Sequence, residues 1–540
     1  MTRKSILLSA LLSTTLVAGA YAADLPAGTD LAADQTFTYR VLDEFSSFDP
    51  QVVEDVEGAN VVRDLFEGLY NQDADGNLVP GVALSHTVSD DNMTYTFTLR
   101  DNAKWSDGKP VTAGDFVYAW QRAVAPELAS PYAWYMELMS IENASAIIAG
   151  EKPITDLAVE APDDHTFVVH LSQPLPYFAK MVTHGTTFPS PKWAIEAHGS
   201  EWTRPGNIVS NGAYVLTEHV PKERSVRERN TMYWDNEHTV LDKVVTLVIG
   251  DDAQALTRYR AGEVEKTDIP AGQYPALAEE FPEEAYALPR LCNYYFTFNM
   301  SDTGPEAFKD VRVRQALSMS IDRNVIVDQV LQGGQFPAYT FTPAATAGFE
   351  VPDVAYAGMT QADRDKIAKE LLAEAGYGEG GEPLSFTYLY NTSDAHQQVA
   401  IVASQMWKQK LGAEVTLENQ EWKVFLENRG AQNFEMARGA WCGDYNEAST
   451  FLDLLTSPSG YNDGKYSNAR VDELMTTAKS SQDTQPLYTE VEQILADEMP
   501  VVPVYHYSTN IMLKDSVEGW PINNVEQNWY SKDLYKVAGE

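Results

Sequence analysis

Two hydrophobic periods alternate along this chain, one of two residues and one of three to four. In "MTYTFTLRDNAKWSDGKPVTAGDFVYAWQRAV", Tyr95, Phe97 and Leu99 share one face of a strand, because successive strand side chains point to opposite sides. A turn-rich stretch follows, then a helix opening near Thr112 or Asp115. "HTFVVHLS" (165–172) repeats the strand pattern, and 244–269 reads strand, helix, strand. That helix starts near Asp251 or Asp252 and stops at Gly262, which accepts positive φ. "DVRVRQALSMSIDRNVIVDQVLQGG" predicts a helix ending at a glycine pair, and "TQADRDKIAKELLAEAGYG" another closed by Gly376. "NTSDAHQQVAIVASQMWKQKLG" predicts a helix with Asp394 as N-cap and Gln397 three residues on, the capping-box spacing. Residues 413–441 then read strand, short helix, strand.

Alternation of this kind predicts an α/β protein. No repeat of 20–50 residues is visible, and no Gly- or Ser-rich linker divides the chain. The domains are therefore expected to be joined by crossing strands. The first 22 residues stand apart. Arg3 and Lys4 precede an apolar run from Ile6 to about Gly19 and then Ala20-Tyr21-Ala22, the order of a secretory signal cut after Ala22. The run is short and carries Ser9, Ser13, Thr14 and Thr15, which disfavours the alternative of a retained anchor. An exported, soluble protein is expected.

Charge narrows the partners. Asp and Glu number 78 against 39 Lys and Arg, a net charge of −39 spread along the chain. Such a surface repels nucleic acid and anionic lipid. The only two cysteines, Cys292 and Cys442, most simply pair in an oxidising compartment. A Cys–His nucleophile is the sharper alternative, and zinc is disfavoured because no Cys or His stands two to four residues from either cysteine.

Enzymatic signatures are missing: no G-x-S-x-G elbow, no H-E-x-x-H, no P-loop lysine and no strand-linked G-x-G-x-x-G. Neither a metal nor a cofactor is expected. The nine histidines are scattered. What stands out is a concentration of aromatics and charges: Trp422, Arg429, Arg438, Trp441, Asp444 and Tyr445 fall within 24 residues. Aromatic walls with a few oriented charges suit a peptide or a sugar. The competing reading has the tryptophans packing a core and the arginines pairing with local acids.

Several segments resemble the periplasmic oligopeptide-binding proteins that serve ABC transporters, within the wider peptide- and nickel-binding family. They are "FDP" (48–50), "RDLFEGL" (63–69), "TFTLRDNAKWSDGKPVTAGDFVYAWQRAV", "PGNIVSNGAY" (205–214), "DVRVRQALSMSIDR", "LLAEAGY", "LYNTSDAH", "NQEWKVFL" and "WCGDYNEAS". The resemblance implies an α/β two-lobed periplasmic binding fold of class II, cluster C, a hinged clamp with an inserted domain. Lobe one would comprise 23–67, 190–291 and 508–540, the inserted domain 68–189, and lobe two 292–507. The Cys292–Cys442 bridge would then lie within lobe two.

It also implies a site. Asp444, shielded between Trp441 and Tyr445, matches the carboxylate that takes a peptide's α-amino group, and Arg429, Arg438 and His396 match positions that meet the peptide carboxylate. Tyr132, Glu54, Val56, Trp422, Trp441 and Tyr295 match cleft-lining residues, with Tyr505 and Tyr507 near the returning hinge segment. The expected partners are peptides of about two to five residues and an inner-membrane permease, with the receptor monomeric. Two departures are visible. Leu331 stands where well-known relatives carry a lysine that reaches tripeptides, and Ala440 and Gly443 flank Trp441. The rivals are a murein-peptide, dipeptide or nickel-chelate receptor, a secreted peptidase or glycosidase, and a holdase chaperone.

Overall fold

The computed structural model describes Ala23, residues 25–481 and residues 483–539, so the expected signal segment lies outside the described residues. Its backbone is one mixed sheet of eleven strands, with a separate four-stranded antiparallel sheet and two small ribbons. Within the large sheet, Glu414–Gln420, Ser385–Asn391 and Met436–Cys442 lie on one side, and Thr36–Val41, Lys243–Val248, Arg224–Arg229 and Tyr214–Val220 on the other. Two long strands, Ala285–Phe298 and Val501–Leu513, cross between these halves as an antiparallel pair. The expected crossing strands are thus observed.

Their pairing breaks in the middle. Ala285–Pro289 pairs with Ser508–Met512 and Asn293–Thr297 with Val501–His506, while residues 290–292 have no partner on Val501–Leu513. A strand pair that loses its ladder for three residues is easier to bend there, which marks 290–292 as a candidate hinge, although Leu291 and Cys292 are held by Gly443 and Cys442 on the neighbouring strand side. Cys292 ends this gap and is directly opposite Cys442, to which it is disulfide-bonded. The smaller sheet is built by Ala83–Val88, Thr94–Leu99, Thr166–His170 and Val159–Asp163.

Local signals account for most boundaries. Helix Ala113–Ala123 carries the reciprocal Thr112–Asp115 capping box. Asp251 caps Asp252–Arg260, and Gly262 and Gly376 adopt φ of +73° and +89° just past their helices. Two expectations need correction. The helix Asp394–Leu411 is capped by Ser393, whose hydroxyl accepts from the His396 N–H, while Asp394 is its first helical residue. The stretch 310–334 is not one helix: Val311–Met319 ends at Ser320, and a π-helical turn Ile326–Leu331 follows Arg323–Val325. Asp322 caps the new turn, and the Arg323 side chain holds the break by turning inward to bond the carbonyls of Ser318, Ala338 and Pro503, uniting three segments.

Candidate functional site

Where the two halves of the large sheet face each other they enclose a cavity of about 300 Å³. Its floor is the end of strand Met436–Cys442. Only Met436 and Ala437 of that strand pair with Ser385–Asn391, because the two diverge after Leu389. From Arg438 onward one backbone edge has no strand partner, and Arg438, Ala440, Trp441, Cys442 and Gly443 line the cavity. The other edge is anchored on Ala285–Phe298, with Gly439 opposite Tyr295 and Trp441 opposite Asn293. Gly439 is required there: a Cβ would lie 2.3 Å from the Tyr295 ring.

Asp444 follows the strand at the hinge. Gly443 N–H donates to Leu291 O at 2.8 Å and Asp444 N–H to Thr450 Oγ1 at 3.0 Å, which fixes the turn. The Asp444 side chain is only 9% exposed. Its Oδ1 lies 3.4 Å from the Tyr132 hydroxyl and 3.6 Å from His184 Nε2, and its Oδ2 has no partner. Burial pushes this carboxyl up to about 8; the Tyr132 hydroxyl and Arg63 pull it down, and Glu526 raises it further. His184 is neutral, because burial and the nearby Arg63 lower its pKa to about 3. Around Asp444, Trp441, Tyr132 and Tyr461 form an aromatic wall, with centroids 6.3 Å apart for Tyr132–Trp441 and 4.8 Å for Trp441–Tyr461. A buried carboxyl group with one oxygen free of protein partners, beside aromatic faces, is chemically suited to an ammonium group.

The far end is cationic. Arg438 is 7% exposed, donates from Nη2 to the Tyr507 hydroxyl at 3.0 Å, and leaves Nε without a partner. His396, neutral because burial and Arg438 push its pKa well down, leaves Nδ1 unpartnered nearby. Arg429 differs: its Nε meets Asp463 Oδ2 at 2.7 Å, so its charge is already matched. An acid does pair with this arginine, as the competing reading of the sequence expected, but it comes from a separate loop and not from the local sequence.

Of the residues singled out from the sequence, Glu54, Val56, Tyr132, His396, Trp422, Arg429, Arg438, Trp441 and Asp444 all line the cavity. Tyr445 does not; it is fully buried, stacked 5.5 Å from Tyr177 and bonded to Ser449 Oγ. Tyr295 packs edge-on against Phe341 and over Gly439, and it does not line the cavity. Leu331 is buried in the core beside Val327 and Ile326. Arg63, His184, Tyr461 and Glu526 also line the cavity, and sequence reasoning did not single them out. Only Arg63 stood in a quoted motif.

Tyr461 closes the site. Its hydroxyl donates to Glu54 Oε2 at 2.9 Å across the cavity. The variant Tyr461→Phe is expected to lose about 1.5 kcal/mol, roughly tenfold weaker ligand affinity by calorimetry, from one hydrogen bond to a carboxylate.

Among the described residues no group of three or more His, Cys, Asp or Glu is placed to hold a metal ion, and no helix is long and apolar enough to cross a membrane. Residues 77–463 match the model for "Bacterial extracellular solute-binding proteins, family 5 Middle". The periplasmic murein peptide-binding protein MppA of Escherichia coli is 45% identical over 96% of both chains. The periplasmic oligopeptide-binding protein OppA of Salmonella typhimurium is 45% identical over 99% of both. Among solved structures, the E. coli murein tripeptide binding protein MppA superposes with a TM-score of 0.92 at 44% identity, covering 95% of this chain and 100% of that one. The unliganded open form of MppA, at the same 44% identity and covering 95% and 99%, reaches only 0.69. OppA of Haemophilus influenzae in complex with RPPGFSPFR gives 0.89 at 38% identity, covering 94% and 100%. Equal identity with unequal fit means the present arrangement differs from that open form in the relative placement of parts.

Proposed function

The chain belongs to the bacterial extracellular solute-binding proteins of family 5, and from that premise we propose that it is a periplasmic receptor that captures short peptides and hands them to an inner-membrane ABC-transporter permease. The observation that carries this reading is the partnerless backbone edge of 438–442, flanked by Asp444 at one end and by Arg438 and His396 at the other. An extended peptide added to that edge exchanges main-chain N–H and C=O bonds whatever its sequence. Its α-ammonium meets the free Oδ2 of Asp444, and its carboxylate meets Arg438 Nε and His396. From Arg438 to Asp444 an extended strand spans about 20 Å at roughly 3.3 Å per residue, room for about six residues, so ligands of about two to five residues fit within it. With Leu331 buried, tripeptides lack a lysine to meet their carboxylate and bind more weakly than tetrapeptides.

The clamp works by hinge closure at 290–292. Its parts are lobe one (23–67, 190–291, 508–540), an inserted domain (68–189) and lobe two (292–507). The receptor acts as a monomer without metal, cofactor or catalysis, after export and removal of the first 22 residues. Native mass spectrometry after incubation with a defined tetrapeptide tests this. One intact peptide per chain with a raised melting temperature supports the receptor; peptide fragments would make it a peptidase, and preference for unfolded protein a holdase.

A further inference from the structure

The Asp444 end of the cavity holds a second carboxylate that backbone recognition leaves without a task. Glu526 is 7% exposed and lines the cavity. The loop that carries it is pinned to the hinge, since Leu291 N–H donates to Val525 O at 2.6 Å. Within the loop, Glu526 N–H donates to Asn524 Oδ1 at 3.0 Å. One carboxylate oxygen, Oε2, accepts from Gln72 Nε2 at 2.7 Å, while Oε1 has no partner.

The cations near Glu526 do not fill that vacancy in its bonding. Arg63 donates to Asn60 Oδ1 at 2.9 Å and Asn528 Oδ1 at 2.5 Å, and Lys180 to Asn446 O at 3.2 Å. Both act on Glu526 through space only. A buried carboxylate oxygen left without a donor is costly, so a donor brought by a ligand is rewarded.

We propose that Glu526 is a second ligand anchor, whose free oxygen takes a hydrogen bond from a cationic side chain on the first residue of a bound peptide. The site would therefore favour peptides that begin with lysine, arginine or a similar amine-bearing residue, an inference that rests on the peptide-receptor reading above. Because Arg63 offsets part of the local negative charge, the gain comes from a short, dry hydrogen bond rather than from the acidic field of the whole protein. It therefore survives salt, which screens long-range steering.

The test compares Lys-Ala-Ala-Ala with norleucine-Ala-Ala-Ala by calorimetry, on the full protein and on Glu526→Gln, at low and high salt. The lysine peptide should bind about tenfold tighter to the unmodified protein at both salt levels, as expected for one charge-assisted bond, and that ratio should fall to near one in Glu526→Gln. The unmodified protein provides a second readout. Burial raises the Glu526 carboxyl to about 7, lowered in part by Gln72, Arg63 and Lys180, with Asp444 facing the same space. At pH 7 the lysine peptide should release more protons than the norleucine peptide, because the incoming cation ionises Glu526. Equal affinities, a ratio lost at high salt, a ratio unchanged in Glu526→Gln, or equal proton release would overturn this inference and leave the receptor reading standing. If neither peptide binds the unmodified protein, the receptor reading fails and this inference fails with it.

Discussion

Replacing Asp444 with asparagine should weaken binding of an unblocked tetrapeptide by about 10²–10³-fold at pH 8, roughly 3–4 kcal/mol, the cost of removing one partner from a buried ion pair. Asparagine keeps the shape and the turn held by Thr450, so the loss reads the charge. The same residue dictates a pH profile. With its carboxyl at about 8, Asp444 is mostly protonated at pH 7 in the ligand-free protein. Capturing an ammonium ionises it, so binding releases close to one proton, and affinity rises nearly tenfold per pH unit up to about 8. Above that the free peptide amine, ordinarily near 7.7–8.0, loses its own proton and the gain stops. Stability carries the opposite sign. The folded ligand-free state holds a proton that the unfolded chain loses from the ordinary carboxylate range upward. Asp444 therefore makes the empty protein less stable as pH rises towards 8, and Asp444→Asn removes that contribution. Calorimetry in two buffers of different ionisation enthalpy measures the proton, and an Asp444→Asn variant that still releases it would point to another group.

The second large effect is on the fold. The Cys292–Cys442 bridge closes a loop across a sequence separation of 150. In the chain-entropy model such a cross-link stabilises by about 5 kcal/mol, and removing native bridges typically costs 2–5 kcal/mol. The double variant Cys292→Ser/Cys442→Ser should show a loss in that range by guanidinium denaturation. Its peptide affinity should fall as well, because Cys442 fixes the strand end from which Asp444 projects. A change below about 0.5 kcal/mol would mean that the seven-residue pairing of Cys292–Phe298 with Met436–Cys442 suffices without the covalent link.

Features with local causes were legible in the sequence. Thr112 with Asp115, Gly262 and Gly376 act within a few residues, and two cysteines in a chain expected to be exported have few choices. The end of the helix at Ser320 was missed although Asp322 caps the next turn locally, while the buried Arg323 that holds the break, bonding a carbonyl 180 positions away, was not legible in the sequence. Arg429 shows the same limit at the site: its partner Asp463 comes from a separate loop, and no spacing announces the pair. Tyr445 was read as an outer wall by its adjacency to Asp444, yet the turn after Gly443 sends it into the core, and Tyr132 and Tyr461 supply the wall instead. Glu526 and Arg63 reach Asp444 from nearly opposite ends of the chain. Most residues named by resemblance meet in one cavity, Tyr295 and Tyr445 excepted, while Arg63, His184 and Glu526, which tune Asp444 or its surroundings, were assembled there by folding.

Recognition by this cavity requires that a ligand's free amine be gripped by Asp444 while its backbone is held without regard to sequence. Calorimetry of Ala-Ala-Ala-Ala against its N-acetyl form, on the unmodified protein and on Asp444→Asn, measures this directly. The free amine should give at least a hundredfold advantage to the unmodified protein, with little left in the variant, as the loss of a buried charge pair requires. Equal binding of the acetylated peptide, or an advantage that persists in the variant, would contradict it.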